Sequence, residues 1–284
     1  MSSPKKTVLI TGCSAGGIGF ALAQEFQSRG LHVFATARDP SKMSALQDEP
    51  DMTLLALDVS SPPSIAAAVA AVKAHTGGTL DYLVNNAGAL YVTPVLDGDV
   101  ARAKALFDVN LWGVVSLTQA FAPLVVEAKG CVANISSIAG IMYAPYYGFY
   151  AASKSALQTL GETLRLELQP FGVRVITVVS GAVESKVFNN GVPLRLPAGS
   201  LYRPAEKEIA ARAAGADIEK NHSTLEEYSR ALVSDFLGGK DGKVYRGCMS
   251  TLVRVLAAWS PAWLFEWFSW RGTGLDKVGK PKQL

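Results

Sequence analysis

The sequence predicts an α/β fold: a doubly wound parallel sheet in three layers, αβα, with a C-terminal helical extension. Three observations carry this. Short β-branched runs alternate with longer runs of helical spacing. The strand runs are apolar at nearly every position, so helices must cover both faces of the sheet. A glycine cluster directly follows the first strand and opens a helix. Right-handed crossovers between parallel strands then wind the sheet outward in both directions.

Thr7–Thr11 (TVLIT) reads as the first buried strand. Gly17–Arg29 has helical spacing and stops at Gly30, a residue suited to a helix end. His32–Ala37 (HVFATA) and Thr53–Val59 (TLLALDV) are the second and third strands. A helix opens at Ser61-Pro62-Pro63-Ser64 and runs to about His75. Asp81–Gly88 is a fourth strand, Val100–Glu127 a long helix, and Cys131–Ser137 (CVANISS) a fifth strand. Phe149–Gln169 is helical, and Val173–Val179 (VRVITVV) is the sixth strand. Beyond Ser180 the pattern loosens. Asn189–Pro204 reads as a loop, Ala205–Leu237 as mostly helical, and an interrupted apolar tail follows.

No short-period repeat and no linker divides the 284 residues, so one domain is expected over 1–284. Its core lies at about 5–190, a specificity loop at about 186–204 and the tail at about 205–284. A net charge of +3 is too weak to argue for nucleic acid, and a pI of about 8.7 mildly favours anionic ligands. Cys13, Cys131 and Cys248 form neither a disulfide framework nor a zinc pattern, and His32, His75 and His222 lack metal-ligand spacing. No metal is expected. The N-terminus lacks a signal-peptide core. Arg254, Pro261 and Glu266 interrupt the one long apolar stretch in the tail, so no spanning helix is expected. A reducing, cytoplasmic location follows.

The loop Thr11-Gly12-Cys13-Ser14-Ala15-Gly16-Gly17-Ile18-Gly19 lets backbone approach a pyrophosphate, and the next helix aims free N–H groups at it. The plainer alternative is a tight strand-to-helix turn. The second strand ends at Ala37, where a ribose-binding acid would stand, and Arg38 follows. An arginine there suits a 2′-phosphate, which favours NADP(H) over NAD. Asp39 is a displaced ribose-ligand candidate, and the plainer alternative for Arg38 is a surface residue. Asp58 suits the adenine amino group, or alternatively a helix cap.

Three tyrosines crowd the stretch YYGFYAASK, and of all tyrosines in the chain only Tyr150 has a lysine, Lys154, at i+4. Residues i and i+4 share a helix face. An ammonium beside a phenol lowers the phenol pKa, and a phenol so tuned donates a proton to a carbonyl oxygen. Tyr146 and Tyr147 have no such partner and are expected to wall a pocket or pack. Ser136 and Ser137 end the fifth strand, where ligands bind in such sheets; a hydroxyl there either holds a carbonyl or caps backbone.

In order, TGCSAGGIG, Asp58-Val59, Asn85-Asn86-Ala87-Gly88, Asn110 in FDVNLWG, Ser137 in NISS and Tyr150-Ala151-Ala152-Ser153-Lys154 resemble the short-chain dehydrogenase/reductase family, with its Rossmann fold, over about residues 5–190. The resemblance implies a tetrad. Tyr150 is the proton donor, Lys154 lowers its pKa and bonds the nicotinamide ribose, Ser137 orients the carbonyl, and Asn110 holds a relay water. It implies cofactor contacts at Gly12, Ser14, Gly17, Ile18, Gly19, Arg38, Asp58, Val59, Asn86, Ala87 and Gly88. Tyr150, Lys154, Val183 and Ser185 complete the set, the last two at the carboxamide. Two departures stand out. Four residues separate Gly12 from Gly17, one more than the family pattern TGxxxGxG. Ser180-Gly181 replaces the usual Pro-Gly, which is expected to free the turn leading to Val183 and Ser185.

GCSAGGIG, ATAR and VVSGAVES look most like fungal and yeast reductases related to NADPH-dependent 1-acyldihydroxyacetone-phosphate reductase; hydroxysteroid dehydrogenases are a more distant likeness. This implies reduction of a ketone, in lipid or secondary metabolism, with the reverse alcohol dehydrogenase reaction open to the same site. The specificity loop carries only Lys186, Arg195 and Arg203 as charges, which suits a large apolar substrate. A non-redox isomerase, cyclase or scaffold is the competing class. Relatives pair subunits through helices such as Val100–Glu127 and Phe149–Gln169, implying a homodimer or homotetramer. In the tail, Leu252, Val255, Leu256, Trp259 and Trp263 fall on one helix face. The favoured expectation packs that face on the substrate pocket or a second subunit; the alternative is peripheral contact with a lipid-droplet or endoplasmic-reticulum surface.

Overall fold

The computed structural model describes residues 5–185, 187–188, 194–216 and 221–279. Seven strands form one parallel sheet: β1 (Thr7–Thr11), β2 (His32–Ala37), β3 (Met52–Ala56), β4 (Tyr82–Asn85), β5 (Cys131–Ser137), β6 (Arg174–Ser180) and β7 (Gly242–Arg246). Their order is β3-β2-β1-β4-β5-β6-β7. The winding direction reverses between β1 and β4, and the strand ends open a crevice there.

Helices α1 (Ile18–Ser28) and α7 (Leu225–Leu237) cover one face. Helices α2 (Pro62–Thr76), α3 (Val100–Phe107), α4 (Gly113–Glu127) and α5 (Gly148–Leu168) follow in the chain, and α2 and α4 build the core of the other face. The alternation of side chains along β1 shows why both layers are needed. Val8 and Ile10 pack with Phe26 and Phe236, whereas Leu9 packs with Phe121 and Val72. By length and composition the run 100–127 is apolar enough to cross a bilayer, but Leu117, Phe121 and Val125 are buried against the sheet, as in a core helix.

Several boundaries differ from expectation for local reasons. The third strand ends at Ala56 rather than Val59, because the amide of Asp58 turns to the Ser64 hydroxyl at 3.0 Å. The fourth ends at Asn85, because the amides of Asn86 and Ala87 leave the ladder for Thr11 Oγ1, both at 2.9 Å. The single helix expected over 100–127 is interrupted by a π-helical turn at Asp108–Trp112, just before Gly113. A Cβ on Gly113 would lie 2.9 Å from the Val59 carbonyl oxygen, so the helix presses onto the segment that follows β3.

Strand β7 was not expected. GKVYR is short, and its exposed Lys243 breaks the apolar run. The stretch 205–237 resolves into α6 (Glu206–Ala213) and α7, the latter started by a Thr224–Glu227 capping box. Residues 217–220, and Lys186 with residues 189–193 of the specificity loop, lie outside the described residues. In the tail, α8 (Ser250–Trp259) and α9 (Ala262–Trp270) break at Pro261. Their tryptophan face is not packed on the substrate pocket: Trp259 is 85% and Trp263 68% exposed. Only Val253, Phe265 and a few small residues of this hairpin turn inward.

Candidate functional site

The glycine loop is held by its neighbour at the end of β4. Gly12 has a positive φ of 76°, and a Cβ on it would come within 3.0 Å of Ala87 Cα. The Asn86 side-chain amide donates to the carbonyls of Thr11 (2.7 Å) and Gly12 (3.2 Å). Gly19 packs so closely that a Cβ would fall 2.5 Å from Asn86 Nδ2. The extra residue is absorbed at Gly16, whose φ of +77° closes a bulge pinned by Gly17 N–H to Ser14 (3.1 Å) and Ala15 N–H to Lys42 (2.9 Å). No side chain caps the start of α1 at Gly17, so Ile18 opens a turn whose amides face the loop. Cys13 takes no part in it. Its thiol donates into the core to the Ile10 carbonyl, and burial pushes its pKa up to about 12.

At the end of β2, Arg38 is exposed and makes no ion pair among the described residues. Asp39 is not a free ribose ligand: its carboxylate accepts from the Ser41 amide (3.0 Å) and hydroxyl (2.7 Å), capping the turn that follows. Asp58 is likewise committed on one oxygen, to the Ser60 amide (2.9 Å) and hydroxyl (2.6 Å). The cap of α2 is Ser61, so Asp58 braces the preceding turn instead. These hydrogen bonds hold its pKa low, with help from the Arg38 charge.

The four tetrad candidates meet at the carboxyl end of the sheet. Ser137 ends β5, Tyr150 and Lys154 lie on the first turns of α5, and the π-helical turn carries Asn110 inward to full burial. The Ser137 hydroxyl lies near enough to the Tyr150 phenol to favour its ionised form. Lys154 is buried; its Nζ donates to the Ile135 carbonyl at 2.9 Å and lies 5.9 Å from the Tyr150 ring centroid. A Cβ on Gly88 would stand 3.4 Å from Asn110 Oδ1 and 3.6 Å from Lys154 Nζ, so the β4 loop closes the same space.

One expectation is corrected here. Lys154 does not pull the Tyr150 pKa down: burial raises it, and the Ser137 hydroxyl only partly opposes this. The lysine gives its hydrogen bond to Ile135 instead, and burial lowers its own pKa to about 8. The Asn110 side chain accepts from the Ala89 amide (2.8 Å) and donates to the Ala89 carbonyl (3.0 Å) and Ser153 Oγ (3.1 Å).

Several contributors escaped the sequence. Ser153 bridges Asn110 to the Tyr150 carbonyl, to which its hydroxyl donates at 2.7 Å. Gln158 donates to Ser136 Oγ (3.2 Å) and the Ser137 carbonyl (2.9 Å), tying the strand end to α5. The available signal was position: Ser153 adjoins Lys154, and Gln158 lies one turn beyond it on the same face. Ser136 is the structural serine of its pair, donating to the Lys154 carbonyl at 3.0 Å. Tyr146 and Tyr147 tie down later segments, through hydroxyls that donate to the Thr273 (2.9 Å) and Arg212 (3.1 Å) carbonyls.

The turn after β6 is not freed by Ser180. The serine and Tyr228 hydroxyls hydrogen-bond in the core. Gly181 N–H donates to Arg246 (2.8 Å), and Ala182 and Cys248 exchange backbone bonds (2.9 and 3.2 Å). Val183 buries its side chain, but its amide and carbonyl have no partner among the described residues, while Glu184 N–H is taken by Ser223 at 3.0 Å. Ser185 is half-buried beside it. The residues therefore fit a dinucleotide at three points: an uncapped helix start, an unpaired arginine, and a free donor–acceptor pair for an amide.

Above Tyr150 an apolar wall includes Val92, Tyr146, Tyr147, Leu196 and Ile209. Of the loop cations, Arg203 is spent on Glu206 (2.9 Å) and the Pro197 carbonyl (2.7 Å), and Arg195 is exposed.

A profile described as short chain dehydrogenase matches residues 6–193. The chain is 45% identical over 272 residues to the short-chain dehydrogenase ptmH of Penicillium ochrochloron, covering 96% of this chain and 99% of that one. It is 35% identical over 266 residues to the NADPH-dependent 1-acyldihydroxyacetone phosphate reductase of Schizosaccharomyces pombe, covering 88% of each. Among solved structures, a short-chain dehydrogenase from Streptomyces avermitilis superposes with a TM-score of 0.79 at 28% identity, over 94% of this chain and 98% of that one. A short chain dehydrogenase from Burkholderia cenocepacia in complex with NADP gives 0.70 at 26%, over 91% and 95%.

Proposed function

The chain belongs to the short-chain dehydrogenase family, and on that premise we propose that it is an NADPH-dependent reductase of a ketone on a largely apolar substrate. One observation carries the reading. The hydroxyls of Ser137 and Tyr150 are neighbours beside a buried Lys154, at the mouth of an apolar wall. Two hydroxyls so placed make a cradle for one carbonyl oxygen.

Bound nicotinamide supplies hydride to the carbonyl carbon. Ser137 holds the carbonyl oxygen, and Tyr150 gives it the phenolic proton. The raised pKa keeps Tyr150 protonated at neutral pH, the state a proton donor needs for reduction. The Lys154 ammonium, 5.9 Å from the Tyr150 ring centroid, is assigned to the nicotinamide ribose. Because the lysine pKa is about 8, it remains mostly charged at pH 7. Gly12, Ser14, Gly17, Ile18 and Gly19 would receive the pyrophosphate. Asp58, Val59, Asn86, Ala87 and Gly88 would border the adenosine and ribose, and Val183 and Ser185 the carboxamide. Arg38 is assigned to the 2′-phosphate. Its lack of an ion pair supports this, as do the words NADP and NADPH-dependent in the names of a neighbour and a relative. Subunit pairing is assigned to the face of Val100 and Trp112, 62% and 56% exposed.

The test is loss of NADPH absorbance across lipid, steroid and polyketide ketones, with Tyr150→Phe alongside. The expected result is turnover by wild type and a fall of about 10²–10⁴-fold in kcat for the variant, with NADPH binding retained. Binding of NADPH without turnover of any ketone would favour a non-redox use of the fold. In the same preparations Arg38→Ala is expected to weaken NADPH binding far more than NADH binding; equal losses would remove the 2′-phosphate assignment.

A further inference from the structure

The hairpin of α8 and α9 exposes an aromatic face that the described residues leave uncovered. Trp267 and Trp270 are 52% and 47% exposed, beside the more open Trp259 and Trp263. Tyr143, 71% exposed, joins them across a groove of about 430 Å³ lined also by Pro145 and Glu266. Indole rings carry a large apolar body and one N–H donor, a combination favoured where hydrocarbon meets water.

Charge narrows the occupant. The Arg254 guanidinium sits 4.9 Å over the Tyr245 ring, and that of Arg271 5.3 Å over Trp267. Neither has a carboxylate partner among the described residues, so the hairpin carries two unpaired exposed cations, that of Arg271 at the aromatic face itself. Glu266 is the one acid in the groove. Two cations against one anion are not self-complementary, so a second copy docked on the same face would bring like charges together. A surface of lipid phosphates meets both guanidiniums.

Position links this face to the site. Tyr143 packs edge-on against Phe265 of α9 at 5.7 Å, α8 packs against the Ile138–Gly140 turn, and the Tyr146 hydroxyl holds the Thr273 carbonyl. The hairpin thus rests on the segment between Ser137 and Tyr150. We propose that the tryptophan face docks on an anionic lipid surface and turns the substrate mouth toward it, so that an apolar ketone enters from the lipid. The second half of this statement rests on the reductase reading; the docking itself does not.

The test is sedimentation of the full chain with phosphatidylcholine vesicles, with and without phosphatidylserine. The chain is expected to pellet with the anionic vesicles and its tryptophan emission to shift to the blue. Arg254→Gln and Arg271→Gln are each expected to weaken vesicle binding about fivefold. Trp259→Ser combined with Trp263→Ser is expected to leave the chain in the supernatant with unchanged circular dichroism. A chain that stays in solution with both vesicles overturns the proposal, as does a dimer that these tryptophan changes disperse without any vesicle binding. Equal pelleting on neutral vesicles overturns the anionic assignment. Pelleting needs no turnover, so vesicle binding with no ketone reduced would sink the reductase reading and leave the docking intact. If both hold, vesicles are expected to speed reduction of a lipophilic ketone and leave that of a water-soluble one unchanged.

Discussion

Phe26 of α1 and Phe236 of α7 stack at 5.9 Å and are fully buried, whereas Trp259 of α8 is 85% exposed. The sheet layers and the C-terminal hairpin draw on the same apolar residue types but use them in opposite ways. In the first region the side chains are spent on folding, where burial contributes about 25 cal/mol per Å². In the second they face outward, and their burial is left for another surface. Between the two stands the site, where a charged group, Lys154, is held inside at a cost to stability. Apolar pattern alone therefore does not say whether a residue serves the fold or a partner.

The comparison can be broken at three points. Phe26→Ala should have the largest effect, a loss of about 3–5 kcal/mol in urea unfolding, because it empties a fully packed position. A loss below 1 kcal/mol, on the order expected of a surface site, would mean that the layer is loosely packed.

Lys154→Met should act in the other direction, stabilising the chain at pH 7 by up to about 3 kcal/mol while abolishing turnover. The sign follows from a folded pKa of about 8 against the ordinary 10.5. Below pH 8 the folded state carries the full penalty of the buried charge. As pH rises from 8 towards 10.5 the penalty is relieved, so the advantage of the variant should shrink over that window. Unfolding curves of both proteins across the window check it; an advantage that does not change with pH would assign the effect to packing rather than charge.

Trp259→Ser should have the smallest effect, within about 0.5 kcal/mol on the isolated chain. A loss near that of Phe26→Ala would show that the tail face is covered in solution by a second copy, and the contrast between the two regions would disappear.

Strands β1, β2 and β5 were legible to the residue because their continuous apolar runs are bounded by glycine, charge or a turn. Strand β7 was hidden because an edge strand with one exposed lysine needs only a few apolar contacts. The π-helical turn at Asp108–Trp112 was hidden for another reason. It answers to the close approach of Gly113 to Val59 and to the partners of Asn110, none of which has a sequence period. Tyr150 and Lys154 were found because i and i+4 is a local relation. Ser180 with Tyr228, and Tyr146 with Thr273, were not, because each pair is joined only by the fold.

The sequence by itself determined the kind of fold, the place of the glycine loop and which tyrosine has a lysine one helical turn away. All of these follow from neighbours along the chain and from backbone periodicity. Only the tertiary structure decided that burial raises the Tyr150 pKa, that Ser180 is pinned rather than free, and that the tail tryptophans face outward. Desolvation, long-range hydrogen bonds and exposure are sums over residues distant in sequence, and no local pattern contains those sums.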